Sequence, residues 1–180
     1  MYLFREGSRT EVANSGLRVH LLASGTILRE VIAAAEILER EYGIAADIWS
    51  VTSFNELRRE ALDVTRWNML HPAEPSKLSY VGTCLQGREG PVVAATDYMK
   101  IFADQIREFV PGRYKVLGTD GFGRSDTREK LRRFFEVDRY YVTIAALKML
   151  AEEGSIPSEK VARAISEFGI DPDKPNPVTV

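Results

Sequence analysis

LRVHLLASGTILREVIAAAEILEREYG, residues 17–43, is the stretch that decides the fold of this chain. It begins with an almost continuous apolar run, which is typical of a strand in a sheet that is covered on both faces. A short turn at 24–26 follows, and apolar residues then recur at helical spacing until Tyr42 and Gly43 end the helix. The stretch therefore predicts a central strand and a covering helix, joined as one βα unit.

Strands and helices continue to alternate as far as residue 117. The pattern predicts strands at 46–51, 91–96 and 114–117, and helices at 55–64, at 77–86 and from Asp97 until Pro111. Ser53 is placed to cap the first of these helices, and Glu56 completes the spacing of a capping box. In the last of them we expect an inward-facing apolar stripe: Met99, Ile101, Phe102 and Ile106.

This alternation predicts a parallel sheet with helices on both faces, joined by right-handed crossovers. Beyond residue 138 the pattern becomes wholly helical, with one helix through Leu147 and another at 158–168, before a proline-rich end. We therefore predict a single α/β domain over residues 1–180, with a three-layer α/β/α Rossmann-like fold and an extended tail at 170–180.

The overall composition excludes several classes of function. With 44% hydrophobic and 28% charged residues in a chain of 180, one globular domain with a sizeable core is expected. A formal charge of -2 gives no electrostatic attraction for nucleic acid or an anionic membrane. No apolar run approaches the roughly 20 residues that span a bilayer, and the N-terminus lacks the apolar core of a signal peptide. We expect a cytoplasmic protein with neither nucleic acid nor a membrane as a partner.

The residues that most often carry chemistry are few and scattered. Cys84 is the single cysteine, so no internal disulfide can form, and we expect it to be a small buried apolar residue. His20 lies in the apolar central strand, where a core histidine hydrogen-bonded to a neighbour is expected. His71 precedes a proline and could line an interface, cap a helix or face solvent.

A glycine-rich turn leads into an amphipathic helix at LGTDGFGRSDTREKLRRFFEVD, residues 117–138. Its glycines let the backbone turn tightly and approach another surface closely, and Ser125 or Asp126 can cap the helix that follows. The mixed charges at 128–133 indicate a solvated or ion-paired helical face. The buried stripe of this helix is predicted to consist of Leu131, Phe134 and Phe135. Phe122, among the glycines, is an exposed anchor able to enter a partner's pocket.

Residues 117–126 also resemble the signature near the end of transketolase-like enzymes. Together with VTSFNELRRE, TRWNMLHP and ATDYMK, they make the chain from about 16 to 176 similar to the C-terminal domain of the homodimeric bacterial pyruvate dehydrogenases. The resemblance implies a transketolase C-terminal-domain-like fold with a mixed five-stranded sheet, mostly parallel, in which a strand at about 2–4, within a lead-in over 1–15, is the antiparallel edge strand.

The resemblance also implies a role without catalysis. In that family thiamine diphosphate and magnesium are bound by other domains, so no catalytic, cofactor-binding or metal-ligating residue is expected in this chain, which alone should be inactive. The implied partners are the catalytic domains of the parent enzyme, a second subunit of the homodimer, and the dihydrolipoamide acetyltransferase component that accepts the acetyl group. The implied interface residues are Thr96, Asp97, Tyr98, Thr119, Asp120, Phe122, Arg124, Ser125 and Asp126.

A competing hypothesis is an independent small-ligand-binding or regulatory domain. If the first strong strand is central, the loops that follow it and the strand at 91–96 flank a topological switch point, where open α/β sheets bind ligands. Such a site would draw on Ser24, Gly25, Thr26, Thr96 and Asp97. The turn at 24–26 lacks the three spaced glycines of a dinucleotide site, and TDGFGRS lacks the lysine of a phosphate loop.

Overall fold

The computed structural model describes residues 1–7 and 16–180 and contains a five-stranded mixed sheet with the strand order β1-β3-β2-β4-β5. Its strands are β1 (Tyr2–Arg5), β2 (Arg18–Ala23), β3 (Ala45–Ser50), β4 (Val92–Ala95) and β5 (Tyr114–Leu117). β1 pairs antiparallel with β3, and the other neighbouring strands pair in parallel. The predicted fold class and its antiparallel edge strand are confirmed, whereas the part of the predicted lead-in at 8–15 lies outside the described residues.

Helices cover both faces of this sheet. Within the described ranges they are α1 (Leu28–Tyr42), α2 (Phe54–Leu70), α3 (Tyr80–Leu85), α4 (Lys100–Asp104), α5 (Arg128–Phe134), α6 (Arg139–Glu152) and α7 (Ser158–Glu167). The buried side chains of α1, α6 and α7 pack on one face of the sheet, and those of α2, α3 and α4 pack on the other face. Because successive strand residues point to opposite faces, Leu21 enters the first core and Leu22 the second, and both are fully buried. β2 is therefore the central strand that its apolar run predicted.

Helix lengths on the second face differ from the prediction. α2 runs on to Leu70, and at its start the Ser53 hydroxyl accepts a hydrogen bond from the Glu56 amide at 3.2 Å, as predicted for the cap. α3 is shorter than predicted because Lys77 is held in the preceding segment by Asn68. The Asn68 side chain donates to the Lys77 carbonyl and accepts from the Lys77 amide, both at 2.9 Å.

The predicted inward stripe of α4 is largely wrong. Met99 and Ile101 are 51% and 64% exposed, and Phe102 is also exposed, whereas Ile106 is buried as expected. The helix starts only at Lys100, because its amide donates a 2.9 Å hydrogen bond to the Asp120 carboxylate. Met99, Ile101 and Phe102 do not form the predicted buried stripe.

The two histidines both have structural contacts. His20 is buried, and its Nε2 donates to the Glu89 carbonyl at 3.0 Å, which confirms the predicted core histidine. The ring of His71 stacks on Trp67 with centroids 4.3 Å apart, and its Nδ1 lies 2.8 Å from the Trp67 carbonyl oxygen. His71 is the C-cap of α2 and is exposed, so two of the three possibilities, a helix cap and a solvent-facing residue, hold together. Cys84 is half-buried, not buried as predicted.

A buried carboxylate, Asp47, ties the edge strand to the centre of the sheet. It accepts a 2.8 Å hydrogen bond from the Gly7 amide, forms ion pairs with Arg18 and with Arg88 (3.2 Å), and lies 3.2 Å from Nδ1 of His20. Burial alone would raise the pKa of Asp47. The His20 side chain, the Gly7 amide and the charge of Arg18 outweigh burial and hold that pKa below its ordinary value.

Candidate interaction surface and adjoining cleft

The loops that follow β4 and β5 are hydrogen-bonded to each other. The Thr119 amide donates to the Tyr98 carbonyl at 2.9 Å, and the Thr119 hydroxyl donates to the Asp97 carbonyl at 2.7 Å. Asp120 holds the Lys100 amide, and its carboxylate also lies 3.8 Å from the Lys100 ammonium. The two sequence segments predicted to form an interface are therefore joined into one unit.

Two glycines permit close approaches that a side chain would block. A Cβ at Gly118 would lie 2.7 Å from the Tyr98 carbonyl oxygen and 2.9 Å from the Lys100 amide nitrogen. Gly121 has a positive φ of 107°, and a Cβ there would overlap the carbonyl oxygen of Pro177. No atom lies within 4 Å of a Cβ placed at Gly123. The predicted close approaches at the first two glycines are thus made to other parts of the same chain.

The C-terminal tail packs back onto this loop. Pro177, in a tail without helix or strand, is buried where it meets Gly121. Lys174 anchors the tail, because its ammonium donates to the Phe134 carbonyl at 2.8 Å and lies 3.3 Å from the Glu136 carboxylate. The tail therefore contacts the glycine-rich loop at Gly121, whereas the loop after β4 contacts it at Gly118 and Thr119.

Large apolar side chains project into solvent from the paired loops and from the first turn of α4. Phe122 is 77% exposed, as predicted, and Tyr98 is 65% exposed. The rings of Tyr98 and Phe102 meet edge to face with centroids 5.7 Å apart. Grouped apolar side chains of this size mark interaction sites on soluble proteins. The group, termed the interaction surface, consists of Tyr98, Met99, Ile101, Phe102 and Phe122.

Other residues predicted for the interface have contacts within the chain. Thr96 is buried, and its hydroxyl oxygen accepts hydrogen bonds from the Ser24 hydroxyl at 2.9 Å and the Tyr98 amide at 3.2 Å. It supports the loop from beneath and cannot itself meet a partner without rearrangement. The Arg124 guanidinium lies 4.5 Å from the centroid of the Phe134 ring, in a cation–π contact.

The cap of α5 was predicted one or two residues too early. Thr127, not Ser125 or Asp126, is the N-cap, and its hydroxyl accepts from the Lys130 amide at 3.4 Å. The Asp126 carboxylate instead accepts from the Thr127 amide at 2.7 Å and lies 3.7 Å from the Lys130 ammonium. The predicted apolar stripe of this helix is half-buried.

A cleft of about 580 Å³ adjoins the interaction surface at the carboxyl edge of the sheet. Thr26 and Asp97 from the predicted switch-point site lie in it together, with the Thr26 hydroxyl donating to the Asp97 carboxylate at 3.1 Å. The sequence did not predict its arginines, because they come from the glycine-rich loop and from α5. These arginines are Arg124, Arg128 and Arg132. Arg124 was predicted as an interface residue. Arg128 and Arg132 belong to the charge run at 128–133 that we interpreted as a solvated or ion-paired helical face, and Arg132 is ion-paired.

One of these arginines, Arg132, already shares the Glu30 carboxylate with Arg139. Arg132 lies 2.8 Å from one carboxylate oxygen of Glu30, and Arg139 lies 3.0 Å from the other. Burial would raise the pKa of Glu30, but the hydrogen bonds from Arg139 and the charges of both arginines lower it below its ordinary value. This ion pair fastens α5 and the start of α6 to α1.

Within the described residues, no three His, Cys, Asp or Glu side chains lie close enough together to hold a metal ion. In the same part of the chain, no helix is both long and apolar enough to cross a membrane.

Comparisons with known proteins agree with this fold. Residues 1–138 match the family described as the transketolase-like TK C-terminal domain. The chain is 60% identical over 181 residues to the pyruvate dehydrogenase E1 component of Cupriavidus necator, a match that covers 100% of the chain and 20% of that relative. The pyruvate dehydrogenase E1 component of Escherichia coli K12 is 55% identical over 161 residues, a match that covers 89% of this chain and 18% of that relative. The chain therefore spans about a fifth of the length of the curated relatives it matches, in their C-terminal part.

Among solved structures, a protein titled "Split gene transketolase, inactive beta4 tetramer" aligns with a TM-score of 0.53. The match is 20% identical and covers 80% of this chain and 44% of that one. At this identity the likeness concerns the fold.

Proposed function

Because the chain belongs to the transketolase-like C-terminal domain family, we propose that it is the noncatalytic C-terminal domain of a pyruvate dehydrogenase E1 component. In this proposal it pairs the subunits of a homodimer and braces the active-site cleft formed by the other domains. The observation that carries the proposal is the interaction surface, whose exposed apolar side chains project from two loops that are hydrogen-bonded together.

The interaction surface has the composition of a small interface core. Its aromatic and aliphatic side chains supply area, and burying one side chain such as Phe122 stabilises a complex by about 1.5–3 kcal/mol. Charged groups lie around it, including Lys100, Asp120 and Arg124, which suits a polar rim. The buried Thr96 acts indirectly in this proposal, by fixing the Tyr98 backbone.

The parent enzyme, in the bacterial cytoplasm, decarboxylates pyruvate and transfers the acetyl group to lipoamide on the dihydrolipoamide acetyltransferase. Thiamine diphosphate, with magnesium, supplies the carbanion chemistry when bound to the parent. In this proposal the other domains of the parent bind that cofactor. No chemical step is therefore assigned to this chain.

The size of the native polypeptide is the first test. An immunoblot of the source cells, with an antibody raised against this chain, should detect a band far heavier than 20.2 kDa. A band at 20.2 kDa would contradict the proposal and indicate a separate protein.

In the longer protein, the Phe122→Ala variant tests the interface itself. Loss of an exposed anchor should raise the dimer dissociation constant, measured by analytical ultracentrifugation, by about tenfold or more. Phe4→Ala is the matched control, because Phe4 is also exposed but lies on the edge strand β1. Equal dissociation constants for Phe122→Ala and the unmodified protein would refute the interface.

A further inference from the structure

The switch-point cleft, defined by the residues around Thr26, Asp97, Arg124 and Arg128, has the features of a ligand site. We infer that it binds a small organic acid that carries a hydroxyl or amino group near its acid group. This goes beyond the proposed function, which assigns no ligand to the domain.

The acid group is matched by two arginines. Among the described residues, Arg124 and Arg128 line the cleft without a carboxylate partner of their own, whereas Arg132 is held by Glu30. A guanidinium presents parallel N–H donors that fit the two oxygens of a carboxylate or phosphate. The cleft thus offers two cations to an anion. Its wall also contains Asp126, which lies 3.7 Å from the Lys130 ammonium, and the Arg124 guanidinium lies over the Phe134 ring.

The neighbouring donor group is matched by Asp97. One oxygen of its carboxylate accepts from the Thr26 hydroxyl, and the carboxylate is exposed in the cleft with lone pairs to spare. The Asp97 charge disfavours anionic oxygens placed beside it, although the two arginines attract them. A ligand with a hydroxyl or ammonium group beside its acid group would instead donate a hydrogen bond to it.

The remaining wall is apolar and sets the size of the ligand. Ile27 and Val137 are buried there, and Leu131 and Phe135 are half-buried. The volume of about 580 Å³ lies within the range of small-molecule sites. The position is also the place where open α/β sheets bind ligands, at the carboxyl ends of the strands where the strand order reverses. The apolar wall can contact the carbon skeleton of such an acid.

The test is an NMR titration of the chain with four probes: glycerol 3-phosphate, glycerate, glycerol and inorganic phosphate. We expect glycerol 3-phosphate or glycerate to shift the amide signals of Thr26, Thr119 and Gly123, with a lower Kd than glycerol or inorganic phosphate. The tighter of the two acids identifies phosphate or carboxylate as the group recognised. If neither shifts these signals at about 10 mM, above the usual affinity range for metabolites, the inference is overturned.

Two substitutions separate a built site from general attraction of anions. Arg128→Gln should raise the Kd at least about tenfold, whereas Arg163→Gln, the same charge change at an exposed position on α7, should leave it unchanged. Asp97→Asn should weaken the preference for the hydroxylated acid over inorganic phosphate, because the negative charge is lost and only a neutral acceptor oxygen remains. Equal losses in the two arginine variants would overturn the inference. None of these readouts depends on dimerisation, so the proposed function can fail independently.

Discussion

Gly121→Ala should destabilise the fold by forcing the tail away from the glycine-rich loop. The residue has a φ of 107°, where an alanine is strained by about 1–3 kcal/mol. The new methyl group would also overlap the Pro177 carbonyl oxygen and lie 3.1 Å from its carbonyl carbon. The tail can relieve this overlap by leaving, but it then loses the Lys174 hydrogen bond, which contributes about 1 kcal/mol.

Together these terms predict a loss of about 2–4 kcal/mol in the free energy of unfolding, measured by urea denaturation. Hydrogen exchange should also become faster in the peptide covering 170–180. Gly123→Ala is the matched control, because no atom lies within 4 Å of its Cβ, and the change should stay within about 0.5 kcal/mol.

A double-mutant cycle separates strain from overlap. Deleting residues 174–180 removes Pro177, so Gly121→Ala in that shortened chain should cost only the backbone strain. If Gly121→Ala and Gly123→Ala proved equally stable, or if the tail exchanged at the same rate in both, the reasoning about this contact would be refuted.

Two further predictions concern stability. Asp47→Asn should cost about 2–3 kcal/mol at neutral pH, somewhat less than the roughly 3–5 kcal/mol for breaking a fully buried ion pair, because Arg18 and Arg88 partly reach solvent. The pKa values of Asp47 and Glu30 are lowered in the folded state, so their stabilisation is complete above the ordinary values of 3.8 and 4.5 and is lost as pH falls through and below them. Asp138 has the opposite effect. Burial raises its pKa more than its hydrogen bonds and Arg133 lower it, so its protonation as pH falls favours the folded state and offsets part of the acid loss of stability. Urea denaturation from pH 7 to pH 3 should therefore give a shallower acid loss for Asp47→Asn than for the unmodified chain, and an unchanged slope would contradict this assignment. Thr127→Ala should cost about 1 kcal/mol as a lost helix cap, whereas Ser125→Ala should be neutral. If thermal unfolding showed Ser125→Ala to be the more destabilising change, Ser125 and not Thr127 would be the cap.

Local patterns predicted most of the fold because they reflect local physics. β2 has an apolar run because both faces of the strand are buried, and α1 has apolar residues at helical spacing because one face of the helix is buried. The Ser53 cap follows from spacing alone. The cap of α5 was harder to predict, because Ser125, Asp126 and Thr127 are all good caps and the choice depends on where the Asp126 carboxylate turns.

Contacts between distant residues were not predictable in the same way. Met99, Ile101 and Phe102 show the same periodicity whether they face the core or solvent, so the sequence could not distinguish a buried stripe from an exposed one. His20 and Asp47 are polar residues in otherwise apolar strands. Their contact could not be predicted because it depends on the register that pairs them across β2 and β3. The arginines of the cleft depend on the path of the glycine-rich loop between β5 and α5.

The interaction surface is held in place before any partner binds. Thr119 and Asp120 fix the loop after β4, and Pro177 of the tail packs against Gly121 in the glycine-rich loop. A partner therefore need not order these loops, and the ordering cost that usually reduces affinity is small. The loss of dimer affinity measured for Phe122→Ala then reports mainly the contact of the Phe122 ring with the partner subunit. Gly121→Ala, which removes the support from the tail and leaves Phe122 in place, should weaken dimerisation only as far as this preorganisation contributes.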